Sequence, residues 1–150
     1  MTSGITDGLE FVDSNVLLYL HDVTAGEKHR VAKDLVKHVT VHRKGATSIQ
    51  VMQEFYTNAT RKLDRPLPAD RARSQIRALA LWPTHNPNPA DVLAATGLAE
   101  TAQLSFWDAM ILTSAAALGC TMLWSEDLNN GQAIGGVTVR NPFAAGGFQP

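Results

Sequence analysis

Short apolar runs alternate along the chain with longer segments of helical periodicity. Residues 9–13 (LEFVD) predict a buried strand, and a helical stretch follows from about Asn15. Val31, Leu35 and Val39 recur at helical spacing and predict one apolar helix face. Further helices are predicted over 27–39, 48–63, 70–81, 90–104 and 105–118, and further strands over 46–48, near Trp82, over 120–124 and over 137–143, with a loop at 125–136.

Strands separated by helices predict an α/β fold with a mostly parallel sheet. Turn and capping residues support these boundaries, since Thr47 or Ser48 can cap the helix that follows and Gly119 can end the helix before it. A chain of 150 residues is long enough for one hydrophobic core, so a single domain is expected over residues 1–150.

The composition is that of an ordinary globular protein, with 45% hydrophobic and 18% charged residues. No apolar run reaches the roughly 18 residues that span a bilayer, and residues 1–10 show no secretory signal. Cys120 is the only cysteine, which excludes an internal disulfide; its apolar neighbours predict a buried thiol. The expected compartment is the cytoplasm.

A net charge of −1 conceals an uneven distribution of charge. Twelve of the 13 lysines and arginines fall in residues 28–44 and 61–77, together with only three acids, which leaves 11 acids and one base elsewhere. Solvated helix faces explain such basic stretches equally well. The functional interpretation is an anion-binding rim, for example for nucleic acid, around an acidic centre.

Four acids stand in apolar sequence: Asp13, Glu54, Asp108 and Asp127. Each has an ordinary explanation, because Asp108 could complete a capping box with Ser105, Glu54 could be an exposed helix residue and Asp127 a loop acid. Asp13 is harder to explain, since it directly follows a predicted buried strand, where an ionised carboxylate is costly unless it is paired.

The set of four favours a shared site. Asp13 and Asp127 follow predicted strands, and the carboxyl ends of parallel strands meet at one edge of a sheet. Repelling carboxylates converge only around a cation, and carboxylates with remaining water positions suit Mg²⁺ or Mn²⁺. Other chemistries lack their residues: there is no cysteine pair for zinc, no phosphate-binding glycine loop, no nucleophile elbow and no D-x-D after the first strand.

Four ordered motifs, FVDSNVLLYLHD, SIQVMQEFYTNATRK, LSFWDAMILTSAAALGCTMLWSEDLNNGQ and VRNPF, resemble the PIN domain, and most closely the VapC-type toxins of prokaryotic toxin–antitoxin pairs. The resemblance implies a three-layer α/β/α fold with a central, mostly parallel sheet. It implies an acidic pocket that binds Mg²⁺ or Mn²⁺ and cleaves structured RNA, such as transfer or ribosomal RNA. It also implies a homodimer and a small cognate antitoxin.

Carried over motif by motif, the resemblance assigns Asp13, Glu54, Asp108 and Asp127 as the catalytic, metal-binding acids. Asn15 and Ser125 are implied as groups that hydrogen-bond the ligands or the attacking water. Glu126 is not assigned as a ligand. The resulting hypothesis is metal-assisted hydrolysis of an RNA phosphodiester that leaves a 5′-phosphate and a 3′-hydroxyl.

Two other classes stay open. A non-catalytic PIN-like module that binds RNA or protein would be favoured by the loss of one acid, and none is lost. A phosphoacceptor receiver domain would require an acidic pair after the first strand and a lysine near the last motif, and the chain has neither.

Overall fold

The apolar run near the amino end forms the central strand of a six-stranded sheet. This arrangement is seen in a computed structural model that describes residues 8–150, so most of the stretch in which no secretory signal is predicted lies outside the described residues. Strand β1 (Glu10–Val12) pairs in parallel with β2 (Gly45–Ser48) on one side and with β4 (Met122–Trp124) on the other. The remaining strands are β3 (Thr84–His85), β5 (Ala133–Ile134) and β6 (Val137–Arg140), in the sheet order β3-β2-β1-β4-β6-β5.

Within residues 8–150, six α-helices connect the strands: α1 (Ser14–His21), α2 (Glu27–Val41), α3 (Ile49–Arg61), α4 (Ala69–Leu79), α5 (Pro89–Ala102) and α6 (Phe106–Ala117). Local hydrogen bonds explain where several of them begin. Ser48 Oγ accepts a bond from the Val51 N–H at the start of α3, and Ser105 Oγ accepts one from the Asp108 N–H at the start of α6. Such bonds satisfy backbone donors that a helix start leaves free.

Two groups of helices pack against the sheet. Helices α1 to α4 pack on one another, with α2 and α3 against β2, while α5 packs on α6, which contacts β2, β3, β4 and β6. The predicted three-layer α/β/α fold with a mostly parallel sheet is therefore confirmed, since only β5 runs antiparallel to its neighbour.

The topology places a crevice beside β1. The chain proceeds outward from β1 to β2 and β3, and then returns to β4 on the other side of β1. At such a reversal of strand order the carboxyl ends of the two strands leave an open crevice, which is the common ligand position in open α/β sheets. Beneath it lies a buried apolar core that includes Phe11, Val12, Leu17, Leu35, Phe55, Leu112, Leu123 and Val139.

Two sequence predictions need correction. The loop predicted at 125–136 contains strand β5, because Gly135 and Gly136, both with positive φ, form a two-residue turn that pairs β5 with β6. On α2 the buried residues are Ala32, Leu35 and Val39, while Val31 is only half-buried. Helix α2 packs on α1, and its buried face keeps Leu35 and Val39 but includes Ala32 in place of Val31.

None of the helices within residues 8–150 combines the length and the apolar character that crossing a bilayer requires.

Candidate active site

Asp13 lies at the carboxyl end of β1, where the crevice opens. Its side chain is only 4% exposed, and its backbone N–H donates to the Trp124 carbonyl (3.0 Å), which extends the pairing of β1 with β4. Asp13 Oδ1 accepts a bond from the Ser14 N–H (2.7 Å), and Oδ2 accepts one from the Ser125 hydroxyl (2.8 Å). Both carboxylate oxygens are thus held by neutral donors.

The surroundings of Asp13 disfavour its charged form. Burial raises the pKa of Asp13 to about 7; the bonds from Ser125 and Ser14 lower it, and the nearby charges of Glu54 and Asp127 raise it again. A tenfold change in the acid dissociation constant corresponds to about 1.4 kcal/mol between the two protonation states. A cation beside this carboxylate would favour the charged form strongly.

Asn15 joins the first turn of α1 to the loop that follows β4. Its Nδ2 donates to Asp127 Oδ2 (3.0 Å) and to Ser125 Oγ (3.3 Å), and its Oδ1 accepts a bond from the Glu126 N–H (3.2 Å). The Asp127 N–H also donates to Ser125 Oγ (3.2 Å). We refer to Asp13, Asn15, Ser125 and Asp127 as the strand-end cluster.

Glu126 takes part in a separate interaction. Its Oε1 accepts a bond from the Tyr19 hydroxyl (2.8 Å), and its Oε2 forms an ion pair with Lys28 Nζ (2.5 Å). Lys28 Nζ also lies 5.0 Å from the centre of the Tyr19 ring and 5.9 Å from that of Phe143. Because its carboxylate is already paired with Lys28 and Tyr19, Glu126 is less suited to bind a metal than an unpaired acid.

Glu54 and Asp108 approach from helices α3 and α6. Glu54 Oε1 accepts a bond from the Ser14 hydroxyl (3.0 Å), and its Oε2 accepts one from Gln50 Nε2 (3.0 Å). The same Gln50 Nε2 donates to the Trp107 carbonyl (3.2 Å), which ties α3 to the start of α6. We refer to Gln50, Glu54, Trp107 and Asp108 as the helix-side cluster.

Asp108 is half-exposed at the start of α6. Burial raises the pKa of its carboxyl group, the nearby charge of Asp127 raises it further, and the hydrogen bond with Ser105 lowers it. Ser105 Oγ accepts a hydrogen bond from the Asp108 N–H at the start of α6. A capping box has two reciprocal bonds between side chain and backbone, and such a pair is formed by Asn88 and Asp91 at the start of α5. The capping explanation therefore accounts for the Ser105 side chain and for one hydrogen bond of the Asp108 carboxyl group.

The four predicted acids thus form one electrostatic group. Asp13 experiences the charges of Glu54 and Asp127, and Asp108 experiences that of Asp127. The ion pairs found within residues 8–150 involve the basic residues Lys28, Arg30 and His85, and none of them reaches these four acids. Within the described residues, neutral hydrogen-bond donors contact these acids, but no cationic side chain forms an ion pair with them.

The donor set fits a hard divalent ion, although the side chains are not drawn together around one. Within the described residues, no three acidic, histidine or cysteine side chains converge into a ready-made metal-binding group. Asp127 is exposed and Glu54 and Asp108 are half-exposed, whereas Asp13 is buried and has both carboxylate oxygens hydrogen-bonded. Carboxylate oxygens without a competing cationic side chain are the ligands that Mg²⁺ and Mn²⁺ prefer.

Sequence reasoning missed two residues that hold Glu54. Ser14 lies between Asp13 and Asn15, the two residues that define the motif, and its own position gave no sign of a contact with Glu54. Gln50 lies four residues before Glu54 on a predicted helix, a spacing that places both side chains on one face and could have indicated the contact.

Cavity size alone would not have located this site. A cavity of about 720 Å³ is lined by Val36, Gly45, Leu79 and Trp82, among others. It lies at the amino end of β2, where the Trp82 ring approaches Gly45 so closely that a Cβ atom would stand 2.8 Å from it. No acid of the strand-end or helix-side cluster lines this cavity.

Comparisons with known proteins agree with this fold. No curated protein sequence matches the chain. Two solved structures resemble it: a chain of a toxin–antitoxin complex from Klebsiella pneumoniae (TM-score 0.63, 20% identity, 86% of this chain and 95% of that chain) and Mycobacterium tuberculosis VapC20, described as a sarcin–ricin loop cleaving toxin (TM-score 0.61, 19% identity, 79% and 91%). At such identities the likeness concerns the fold. The family profile of the PIN domain matches residues 11–130.

Proposed function

The chain belongs to the PIN domain family, and on that basis we propose that it is a metal-dependent endoribonuclease, the toxin of a VapBC-type toxin–antitoxin pair. The observation that carries the proposal is the buried carboxylate of Asp13. It is surrounded by further acids, and no basic side chain within residues 8–150 forms an ion pair with it. Such an arrangement is stabilised by a bound cation.

The four acids would have different roles in this site. Asp13, Asp108 and Asp127 would hold one or two Mg²⁺ or Mn²⁺ ions. When bound, such an ion lowers the pKa of water and neutralises charge on a phosphate. Glu54, which Ser14 and Gln50 hold in place, completes the site or orients the attacking water.

Asn15 and Ser125 keep the strand-end carboxylates in position through the bonds described above. Hydrolysis in this site would break the bond between phosphorus and the 3′ oxygen of the ribose, leaving a 5′-phosphate and a 3′-hydroxyl.

The proposed substrate is structured RNA, such as transfer or ribosomal RNA. Apart from Lys28 and Arg30, the lysines and arginines of residues 28–44 and 61–77 form no ion pair with a described carboxylate, so they are free to contact phosphates. Phosphate contacts supply affinity that falls with salt and carries little sequence information. A cognate antitoxin, a homodimer, a cytoplasmic location and a single domain over residues 1–150 belong to the same proposal.

A second candidate is a non-catalytic PIN-like module that binds RNA or a protein. The specific observation in its favour is that Glu54 has both carboxylate oxygens occupied by hydrogen bonds, while no described group of three ligands is preformed. Such a protein would bind RNA without cleaving it.

Incubation of the purified, antitoxin-free protein with total RNA and Mg²⁺ or Mn²⁺ tests the proposal, with the 5′ ends mapped afterwards. Asp13→Asn is the site variant, and Asp70→Asn, which removes an exposed acid of α4, is the matched control. We expect metal-dependent cuts with 5′-phosphates from the wild type and the control only. Equal cleavage by Asp13→Asn would point to a contaminating nuclease, and RNA binding without cleavage would favour the second candidate.

A further inference from the structure

An exposed aromatic side chain stands directly beside the acidic site. Trp107 precedes Asp108 on α6 and is 63% exposed, although tryptophan is among the residues that folding usually covers. The indole is nevertheless held, since its centre lies 5.0 Å from that of the Phe106 ring in an edge-to-face arrangement. Its backbone is anchored by the bond from Gln50 to the Trp107 carbonyl. Trp107 therefore presents a large and partly preorganised surface to solvent.

Trp107 borders an open cavity of about 330 Å³ that reaches the acidic site. The cavity is lined by Gln50, Gln53, Glu54, Thr57, Asn58 and Trp107. Apart from Glu54 and Trp107, every lining side chain is a neutral hydrogen-bonding group. An aromatic wall next to amide groups is the combination that stacks a planar ring and reads its edge.

One lining residue is a buried polar group without a full set of partners. Gln50 Nε2 donates to two acceptors, Glu54 Oε2 and the Trp107 carbonyl, so the orientation of the amide is settled by its contacts. The other amide atom, Oε1, is buried and has no hydrogen-bond donor within the described residues. An unpaired buried acceptor of this kind is costly, and Gln50 belongs to the lining of the cavity beside Trp107.

We propose that Trp107, Gln50 and Gln53 form a subsite for one unpaired nucleobase of the RNA substrate, next to the scissile phosphate. The inference rests on the proposed ribonuclease function and deepens it. Glu54 lines the same cavity and Asp108 is the neighbour of Trp107 in the chain, so a base stacked there belongs to a nucleotide at or beside the cut. The subsite selects single-stranded or bulged positions, because a paired base cannot place its face against the indole.

Binding in EDTA separates this subsite from catalysis. Fluorescently labelled single-stranded oligo(A) and oligo(U) are compared with an abasic ribose–phosphate oligomer of the same length, which keeps the charges and lacks the bases. We expect Trp107→Ala to raise the Kd for the base-containing oligomers roughly tenfold, given about 1–3 kcal/mol for each stacked base. Trp107→Phe, which retains an aromatic face, should raise it only a few-fold. The abasic oligomer should bind wild type and Trp107→Ala equally.

Two further measurements complete the test. Leu93→Ala, which truncates another exposed apolar side chain on the neighbouring helix α5, is the matched control and should leave every Kd unchanged. Quenching of tryptophan fluorescence by oligo(A) should disappear in Trp107→Phe, since Trp124 is buried and Trp82 lies at the other end of the sheet.

Unchanged RNA affinity in Trp107→Ala would overturn the subsite. So would a loss confined to complex formation with the cognate antitoxin, which would assign the indole to a protein interface. Absence of cleavage by the wild type in Mg²⁺ would instead contradict the proposed function. The binding measured in EDTA would still show by itself whether Trp107 contacts a base.

Discussion

The strand-end and helix-side clusters meet at the same crevice but are held in different ways. On the strand side, Asp13 is buried, and Ser125 and Asn15 connect the ends of two paired strands through a closed set of hydrogen bonds. On the helix side, Glu54 and Asp108 are half-exposed, and Glu54 borders an open cavity beside Trp107. The rigid side can fix charge in advance, while the open side has room to adapt to a substrate.

The strongest test of this difference is to neutralise one acid from each side. We expect Asp13→Asn to lower the cleavage rate by roughly a thousandfold or more, since a metal's contribution amounts to several kcal/mol. Glu54→Gln should lower it by about ten- to a hundredfold, because its neighbours can still position water. Initial rates at the main wild-type cut site measure both. Equal losses, or a larger loss for Glu54→Gln, would contradict the division into a fixed and an adaptable side.

Removal of the bridge between α1 and the loop after β4 tests the strand side alone. Asn15→Ala deletes the donor that reaches both Asp127 and Ser125. We expect a ten- to hundredfold lower rate, roughly the effect of losing a group that orients a ligand, and a higher Mg²⁺ concentration for half-maximal activity. A Mg²⁺ titration of the rate measures both effects. A lower rate with an unchanged midpoint would show that Asn15 does not act through the metal site.

The buried carboxylate also predicts how stability depends on pH without metal. Because the pKa of Asp13 is raised from an ordinary 3.8 to about 7, its contribution to stability is complete below the unfolded value and is lost as the pH rises through about 7. Between about pH 5.5 and pH 8 this amounts to roughly 2 kcal/mol. Chemical denaturation in EDTA measures it as the difference between wild type and Asp13→Asn.

The opposite sign, or the same pH dependence in both proteins, would contradict the account of Asp13. Mg²⁺ or Mn²⁺ at pH 8 should restore stability to the wild type and leave Asp13→Asn unchanged. The pKa of Asp108 is raised as well, but Asp108 is half-exposed and present in both proteins. Its contribution to the pH dependence therefore cancels in the difference between wild type and Asp13→Asn.

The smallest effect is expected at the Lys28–Glu126 pair, which supports the strand-end loop from outside. The Lys28 side chain is 45% exposed, so solvent and salt screen the interaction. We expect Lys28→Met to lower the free energy of unfolding by less than about 1 kcal/mol and the cleavage rate by a few-fold at most. Denaturation and initial rates at low and high salt check this. A loss as large as that of Asn15→Ala would make Glu126 part of the site itself.

The elements of the fold were predictable wherever their signals are local. Ser48 and Ser105 cap the helices they precede, and periodic apolar residues placed α2 correctly. Strand β5 escaped prediction because two residues form no recognisable pattern and pair only after the turn at Gly135 and Gly136 has formed. The exchange of Val31 for Ala32 on the buried face was not predictable either, since it depends on how α2 packs against the other elements.

The candidate site was predictable as a set of residues and only in part as a structure. All four acids stand in apolar sequence, but only Asp13 is buried, while Asp127 is exposed. The residues next to an acid in the chain show only the composition of its helix or strand, whereas burial of the acid depends on which other elements pack over it. The roles assigned to the four acids, Asn15 and Ser125 stay predictions for the experiments above.

The order of strands and helices and the kinds of side chain available for chemistry follow from the amino-acid sequence, because caps, periodicity and motifs act over a few residues. The arrangement of these side chains follows from the tertiary structure. It made Asp13 the buried acid, linked Asn15 to Asp127 across 112 positions of the chain and set Trp107 beside Glu54 at an open cavity. Distances between remote residues depend on the packing of the sheet and helices, which no short stretch of sequence specifies.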